Sequence, residues 1–210
     1  MPVSIRGVRG RPVLLALAAS CAIAIAGTPR VMAASTTDGS GTLNADVNLN
    51  FTLVYPRFLR FRVGAAASGS VNTLVFSPTF VSLGTATPLA GTGGDVSGST
   101  VTVEVVGNNG QVTITPTNNS AGLGLGTGSA ADGYISYAQI ATVSSDASLP
   151  APTLSNAGGT ATQPALDSAL VTNRAAQWTF SYQNQTMPSA GTYGAGGGTG
   201  GRVTYTASMP

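Results

Sequence analysis

The stretch that most restricts the fold is residues 100–116: Thr-Val-Thr-Val-Glu-Val-Val, then Gly-Asn-Asn-Gly, then Gln-Val-Thr-Ile-Thr-Pro. Val101, Val103 and Val105 fall on one face of a period-2 strand, and Thr102 and Glu104 on the other. Val112 and Ile114 repeat the pattern against Gln111, Thr113 and Thr115. Asn109 and Gly110 tolerate φ > 0, as a tight turn requires, so the two runs read as the arms of one hairpin. One face is apolar and the other rich in hydroxyls, which is the signature of a half-buried antiparallel sheet.

The same period recurs along the chain. Leu43, Ala45, Val47, Leu49, Phe51 and Leu53 share one face, with Asn44, Asp46, Asn48, Asn50 and Thr52 opposite. After Pro56, Leu59, Phe61 and Val63 alternate with Phe58, Arg60 and Arg62. Residues 71–76 form a short strand candidate, residues 80–83 pair again beyond Ser77-Pro78, and residues 134–143 form another strand. Trp178, Phe180 and Tyr182 line one face of a strong strand; Val203, Tyr205 and Ala207 face inward on the last one. Residues 165–171 fit either state. No segment keeps a helical period between caps, so many short strands separated by turn signals predict a single antiparallel β-sandwich domain over residues 42–210.

The start of the chain reads differently. Arg6, Arg9 and Arg11 precede an uncharged apolar run over residues 12–27, and Val31-Met32-Ala33 supplies the small residues of a cleavage site. Residues 1–33 thus read as a secretory signal peptide, followed by a polar N-terminal arm at 34–41. The run is short for a bilayer span of about 20 residues, so no membrane span is expected in the mature chain. Cys21 lies inside the run, and Ala18-Ala19-Ser20-Cys21 departs from a lipobox, because Leu17 stands one place too early. Cleavage after Ala33 removes four of the nine basic residues, all arginine, and leaves five arginines against seven acids, a net −2. General affinity for nucleic acid is not implied. The mature chain has no cysteine, so its stability must come from a packed core.

The side chains exclude most catalytic designs. The chain holds no histidine and no lysine, which removes Ser-His-Asp and Ser-Lys nucleophiles, histidine metal sites and the phosphate-loop lysine. Glu104 reads as a solvated surface charge rather than half of a carboxylate pair. Gly196, Gly198 and Gly201 match a G-x-G-x-x-G spacing without the strand and helix it needs, and read as part of a hairpin loop. No cofactor and no enzymatic activity are expected. Two candidate contact features remain. Arg57, Arg60 and Arg62 form either a basic stripe for an anionic partner or a charged guard on an edge strand. Trp178, Phe180 and Tyr182 form either a core face or a sugar-stacking platform. Asn50, Asn118 and Asn184 begin sequons of the chance kind in so Asn- and Thr-rich a chain.

The closing segments carry a resemblance. Thr172-Asn-Arg-Ala-Ala-Gln-Trp-Thr-Phe-Ser-Tyr182, Ala190-Gly-Thr-Tyr193 and Gly201-Arg-Val-Thr-Tyr-Thr-Ala207 follow in an order that resembles the last strands of secreted bacterial surface proteins. These are pilin-like subunits and, more loosely, WxL-type domains, whose sandwiches are immunoglobulin-like. The resemblance implies assembly or adhesion at the cell surface, with like subunits, other envelope proteins or surface polysaccharide as partners. The chain departs from both groups: it can form no disulfide in its mature part, and Trp178-Thr-Phe180 stands where a Trp-x-Leu would. The expected function is a non-enzymatic, exported envelope protein, structural or adhesive, located in the periplasm, at the cell surface or outside the cell. A glycan-binding module and a small outer-membrane barrel are the alternatives. Residues 43–53 admit two roles, an internal first strand or a strand added to a neighbour's open sheet.

Overall fold

A computed structural model describes residues 47–67, 69–195 and 197–210. The signal peptide expected over residues 1–33, Cys21, the arm expected at 34–41, the first four residues of the 43–53 run and Gly196 lie outside the described residues. The chain divides into two units, Met1–Leu53 and Val54–Pro210. In the first, residues 47–53 belong to no strand or helix, and Val47, Leu49, Phe51 and Leu53 are 72, 74, 87 and 82% exposed. An alternating run becomes a strand only where a sheet edge takes up its backbone groups, and no described edge does so. The expected first strand is therefore absent from residues 47–53.

The second unit is all-β and antiparallel. Its strands are β1 (Leu59–Val63), β2 (Leu74–Val75), β3 (Leu89–Ala90), β4 (Thr92–Gly93), β5 (Thr100–Gly107), β6 (Thr113–Asn118), β7 (Ile140–Ser144), β8 (Leu154–Ser155), β9 (Gly158–Gly159), β10 (Thr172–Tyr182) and β11 (Val203–Ser208). The eleven residues of β10 organise the main sheet. Trp178 pairs with Val101 of β5 on one edge and with Ser144 of β7 on the other. Beyond the start of β5, β3 takes over the same edge of β10. Buried Ser99 makes that handover. Its hydroxyl donates to the Phe180 carbonyl (2.7 Å) and accepts from the Gly91 N–H (3.1 Å), while its own carbonyl accepts from the Phe180 N–H (3.1 Å).

The hairpin expected at residues 100–116 does not form. β5 pairs with β1 and β10, and β6 pairs with β11 in a second sheet. Both edges of β5 are thus occupied, and none is left for β6. The Asn109-Gly110 turn instead carries the chain from one layer to the other. It is held by Asn109 Nδ2 donating to the Pro210 carbonyl (2.6 Å) and by the Gly110 N–H donating to Leu170 (2.9 Å), with Gly110 at φ +108°. Val101, Val103 and Val105 then share one core with Val112 and Ile114. Period-2 apolarity is the same in a hairpin and in such an arch, because each strand needs only one buried face.

Two other segments also depart from expectation. Residues 80–82 form a single 3-10 turn, with Phe80 91% and Val81 83% exposed. The local bonds Thr79 N–H to Ser82 Oγ (3.0 Å) and Ser82 N–H to the Thr79 carbonyl (2.9 Å) satisfy the backbone there without a sheet partner. Over residues 134–143, a 3-10 turn at Tyr137–Gln139 precedes β7, so only residues 140–143 of that candidate are strand. The candidate over 71–76 shrinks to β2.

The layers meet at Trp178. The indole is fully buried, donates from Nε1 to the Leu149 carbonyl (3.2 Å) and packs on Tyr205 of β11 at 5.4 Å between ring centroids, tilted by 60°. Phe180 and Tyr182, in phase with it, are each 5% exposed. All three aromatics are core, and the sugar-platform reading of them is discarded. Truncating Trp178 to Ala should cost about 3–5 kcal/mol, the usual loss for a core aromatic, seen as a lower urea midpoint; a loss under about 1 kcal/mol would contradict this packing.

Tyr137 is a second buried tie, its hydroxyl donating to the Gly200 carbonyl. Burial pushes its phenol up from 10.0 to about 12, and burial also raises Tyr205, with the Tyr137 charge as the smaller cause. A phenol raised in the folded state favours folding while neutral. That contribution is whole below the unfolded value near 10.0 and is lost as pH rises through the folded one. Stability should therefore fall steeply between about pH 10 and 12, and Tyr137→Phe should flatten that fall, as read by urea unfolding at each pH.

Candidate functional site

The arginine face of β1 follows from its register. β1 lies antiparallel on β5 with Arg62 opposite Glu104 and Arg60 opposite Val106. Leu59, Phe61 and Val63 turn toward the core, so Arg60 and Arg62 stand on the outer face of the same sheet. Arg62 Nη2 donates to Glu104 Oε1 at 2.7 Å, and its Nη1 reaches the Gly64 carbonyl at 3.4 Å. Arg60 Nη2 lies 3.6 Å from Glu104 Oε2. Two guanidinia therefore share one carboxylate, leaving a single net positive charge on the trio. Arg57 precedes the strand and is exposed.

The two arginines are not equivalent. The Arg62 side chain is 27% exposed, and its Nε is buried without a partner among the described residues. The Arg60 side chain is 70% exposed. Arg62 is thus committed to the sheet, and only Arg60 and Arg57 remain to meet something outside it. A cleft of about 650 Å³ runs along this strand, lined by Arg60, Phe61, Arg62, Val63, the 65–67 loop and Glu104. It combines a charged wall with two apolar side chains that the core covers only in part.

The structure brings Arg60 and Arg62 together, as their spacing implies, and adds the partner that sequence reading missed. Glu104, read as a solvated charge, is the anion of the pair. Nothing local to either strand signals this, because forty-two positions separate Glu104 from Arg62. Of the sequon asparagines, Asn184 is 1% exposed and bonds the Gly84 N–H (3.0 Å), and Asn118 Nδ2 donates to the Ser155 carbonyl (2.7 Å). Both are structural. Among the described residues there is no cluster of His, Cys, Asp and Glu able to hold a metal, and no helix is long and apolar enough to cross a membrane. Compared with protein-family models, curated proteins and solved structures, the chain matches none.

The geometry ranks the ion pairs. A double-mutant cycle in urea should give about 1 kcal/mol of coupling for Arg62 with Glu104 and under about 0.5 kcal/mol for Arg60 with Glu104. Equal couplings would mean that the two arginines share the carboxylate evenly.

Proposed function

We propose that this chain is a non-enzymatic, exported structural or adhesive protein of the bacterial envelope, working through protein contacts rather than at a catalytic site. One observation carries the reading. In the sequence ahead of β1, Val47, Leu49, Phe51, Leu53, Val54 and Tyr55 are all 72–87% exposed. Exposed apolar runs of this size mark interaction surfaces, and a strand period within one suits pairing with a sheet. The leader over residues 1–33 supports export. The closing-strand pattern from residue 172 onward, similar to that of pilin-like and WxL-type surface proteins, supports a place in the envelope, with like subunits or other envelope proteins as partners. Burial of Trp178 removes the main feature that favoured a glycan-binding module.

The test uses the source cell. Antibody against the native protein should label intact cells or the exported fraction, the exported chain should begin at Ala34, and a deletion strain should lose attachment or envelope integrity. Retention in the cytoplasm with residues 1–33 still present would overturn the proposal. Specific retention of the purified protein on a polysaccharide column would replace it with glycan binding.

A further inference from the structure

A second exposed apolar surface lies where β10 ends. The 3-10 turn at Phe80–Ser82 holds Phe80 91% and Val81 83% exposed. Side chains this open touch little of their own protein, so they add little to folding. Met187, 69% exposed, stands beside Gly84, where an added Cβ would come within 3.4 Å of the methionine Cβ. Three large apolar side chains are thus carried by two adjoining loops, residues 79–87 and 183–188.

The loops are locked together from beneath. Asn184, 1% exposed, accepts from the Gly84 N–H at Oδ1 (3.0 Å), donates from Nδ2 to the Ser82 carbonyl, and accepts from the Ala86 N–H at its own carbonyl (2.9 Å). Its φ of +53° is a conformation that persists in a residue other than glycine only where the surroundings over-determine it. Gln139 adds a third segment. Its Oε1 accepts from the Gln185 N–H (3.0 Å), its Nε2 donates to Gln185 Oε1 (3.1 Å), and its carbonyl accepts from the Gln183 N–H (2.7 Å). Phe80 and Val81 are therefore presented on a framework set in advance.

Two observations define what such a turn can enter. Residues 63–94, 133–145 and 175–201, which supply all three segments, contain no Asp, Glu, Lys or Arg. This end of the sheet offers no charge for a partner to pair with, and none that must be stripped of water in a low-dielectric layer. The polar groups of the turn are also largely paired already. The amides of Thr79, Ser82, Gly84 and Ala86 all donate within the loops, and the hydroxyls of Ser82 and Thr85 donate to the Thr79 and Ser82 carbonyls, each at 3.0 Å. Groups satisfied in this way lose little on leaving water, which is the condition for lying against lipid chains.

We propose that the Phe80–Val81 turn seats in the interfacial layer of a phospholipid bilayer, with Met187 beside it. The attraction is burial of apolar surface, so it needs neither anionic lipid nor low salt. Arg57 and Arg60 take no part, since they belong to β1 and the chain ahead of it. The contact is peripheral and reversible, because a few side chains, rather than a spanning segment, enter the layer.

This inference goes beyond the proposed function and is tested apart from it. Full-length exported protein is floated with vesicles of phosphatidylcholine alone, at low and at high salt, beside Phe80→Ser and Phe51→Ser. Both side chains are exposed, so both variants should keep the parent's urea midpoint, and the second controls for the apolar run ahead of β1. Parent and Phe51→Ser should float equally at both salts, and Phe80→Ser should bind at least about tenfold more weakly. In a second measurement, the emission of Phe80→Trp should shift to the blue with vesicles and be quenched by lipid brominated in its chains. The parent's Trp178, fully buried, should respond to neither. Four results would overturn the inference: a parent that does not float; flotation lost in Phe51→Ser and kept in Phe80→Ser; binding confined to anionic vesicles and abolished by salt; or association without lipid that Phe80→Ser abolishes, which would make the turn a protein contact. An exported protein that binds no vesicle would end this inference and leave the envelope role intact. Vesicle binding by a protein that stays in the cytoplasm would do the reverse.

Discussion

Everything in the β unit leans on the burial of one indole. Trp178 sits at the middle of the longest strand, with β5 on one side and β7 on the other, so its position is fixed in the sheet plane by two ladders. Across the layer it meets Tyr205, and its N–H binds Leu149, itself fully buried in the loop after β7. That loop is tightened in turn by Ser144, whose hydroxyl lies 2.9 Å from the Asp146 carbonyl and 2.7 Å from that of Leu149. A large aromatic with one polar atom is suited to this place, because it fills volume in both layers while its single donor finds a backbone acceptor. Among the described residues the second layer has only β6 and β11 in its sheet, so its attachment depends on such cross-layer contacts more than on its own ladder.

The close cover on the Trp178 side contrasts with β1 and β11, each of which has one edge that no strand among the described residues pairs. An edge strand with half-covered apolar side chains invites pairing with any extended chain. The outer face of β1 carries charge beside that edge. Arg62 and Glu104 neutralise one another across the ladder, while the Arg60 side chain projects and is 70% exposed. The same trio thus pins the register of β1 on β5 and sets the electrostatic character of the open edge.

Legibility of the site differs residue by residue. The shared face of Arg60 and Arg62 was visible in sequence, since side chains two apart on a strand must point the same way. Their division of labour was not: which arginine is committed depends on which lies directly opposite Glu104, and that is a property of the β1–β5 register. The aromatic face of β10 was legible as a face, yet core and sugar platform share a single spacing. Only the second layer above Trp178 separates them.

What the sequence determined by itself is local and periodic. Alternation set the strand character of β1, β5, β6, β10 and β11 and the inward side of each, because a pleated backbone leaves a side chain no other choice. It also made the described residues nearly all β, with only short 3-10 turns beside the strands, since no segment there carried a helical period. Pairing was decided only by the tertiary structure. Residues 100–116 read as a hairpin, and the fold opened them into an arch between layers because β1 and β10 had taken both edges of β5. Residues 47–53 read as a strand with equal force, and stay outside every described sheet. A strand is half of a contact: its own residues specify which face is apolar, and only the rest of the chain decides which edge its backbone can bond.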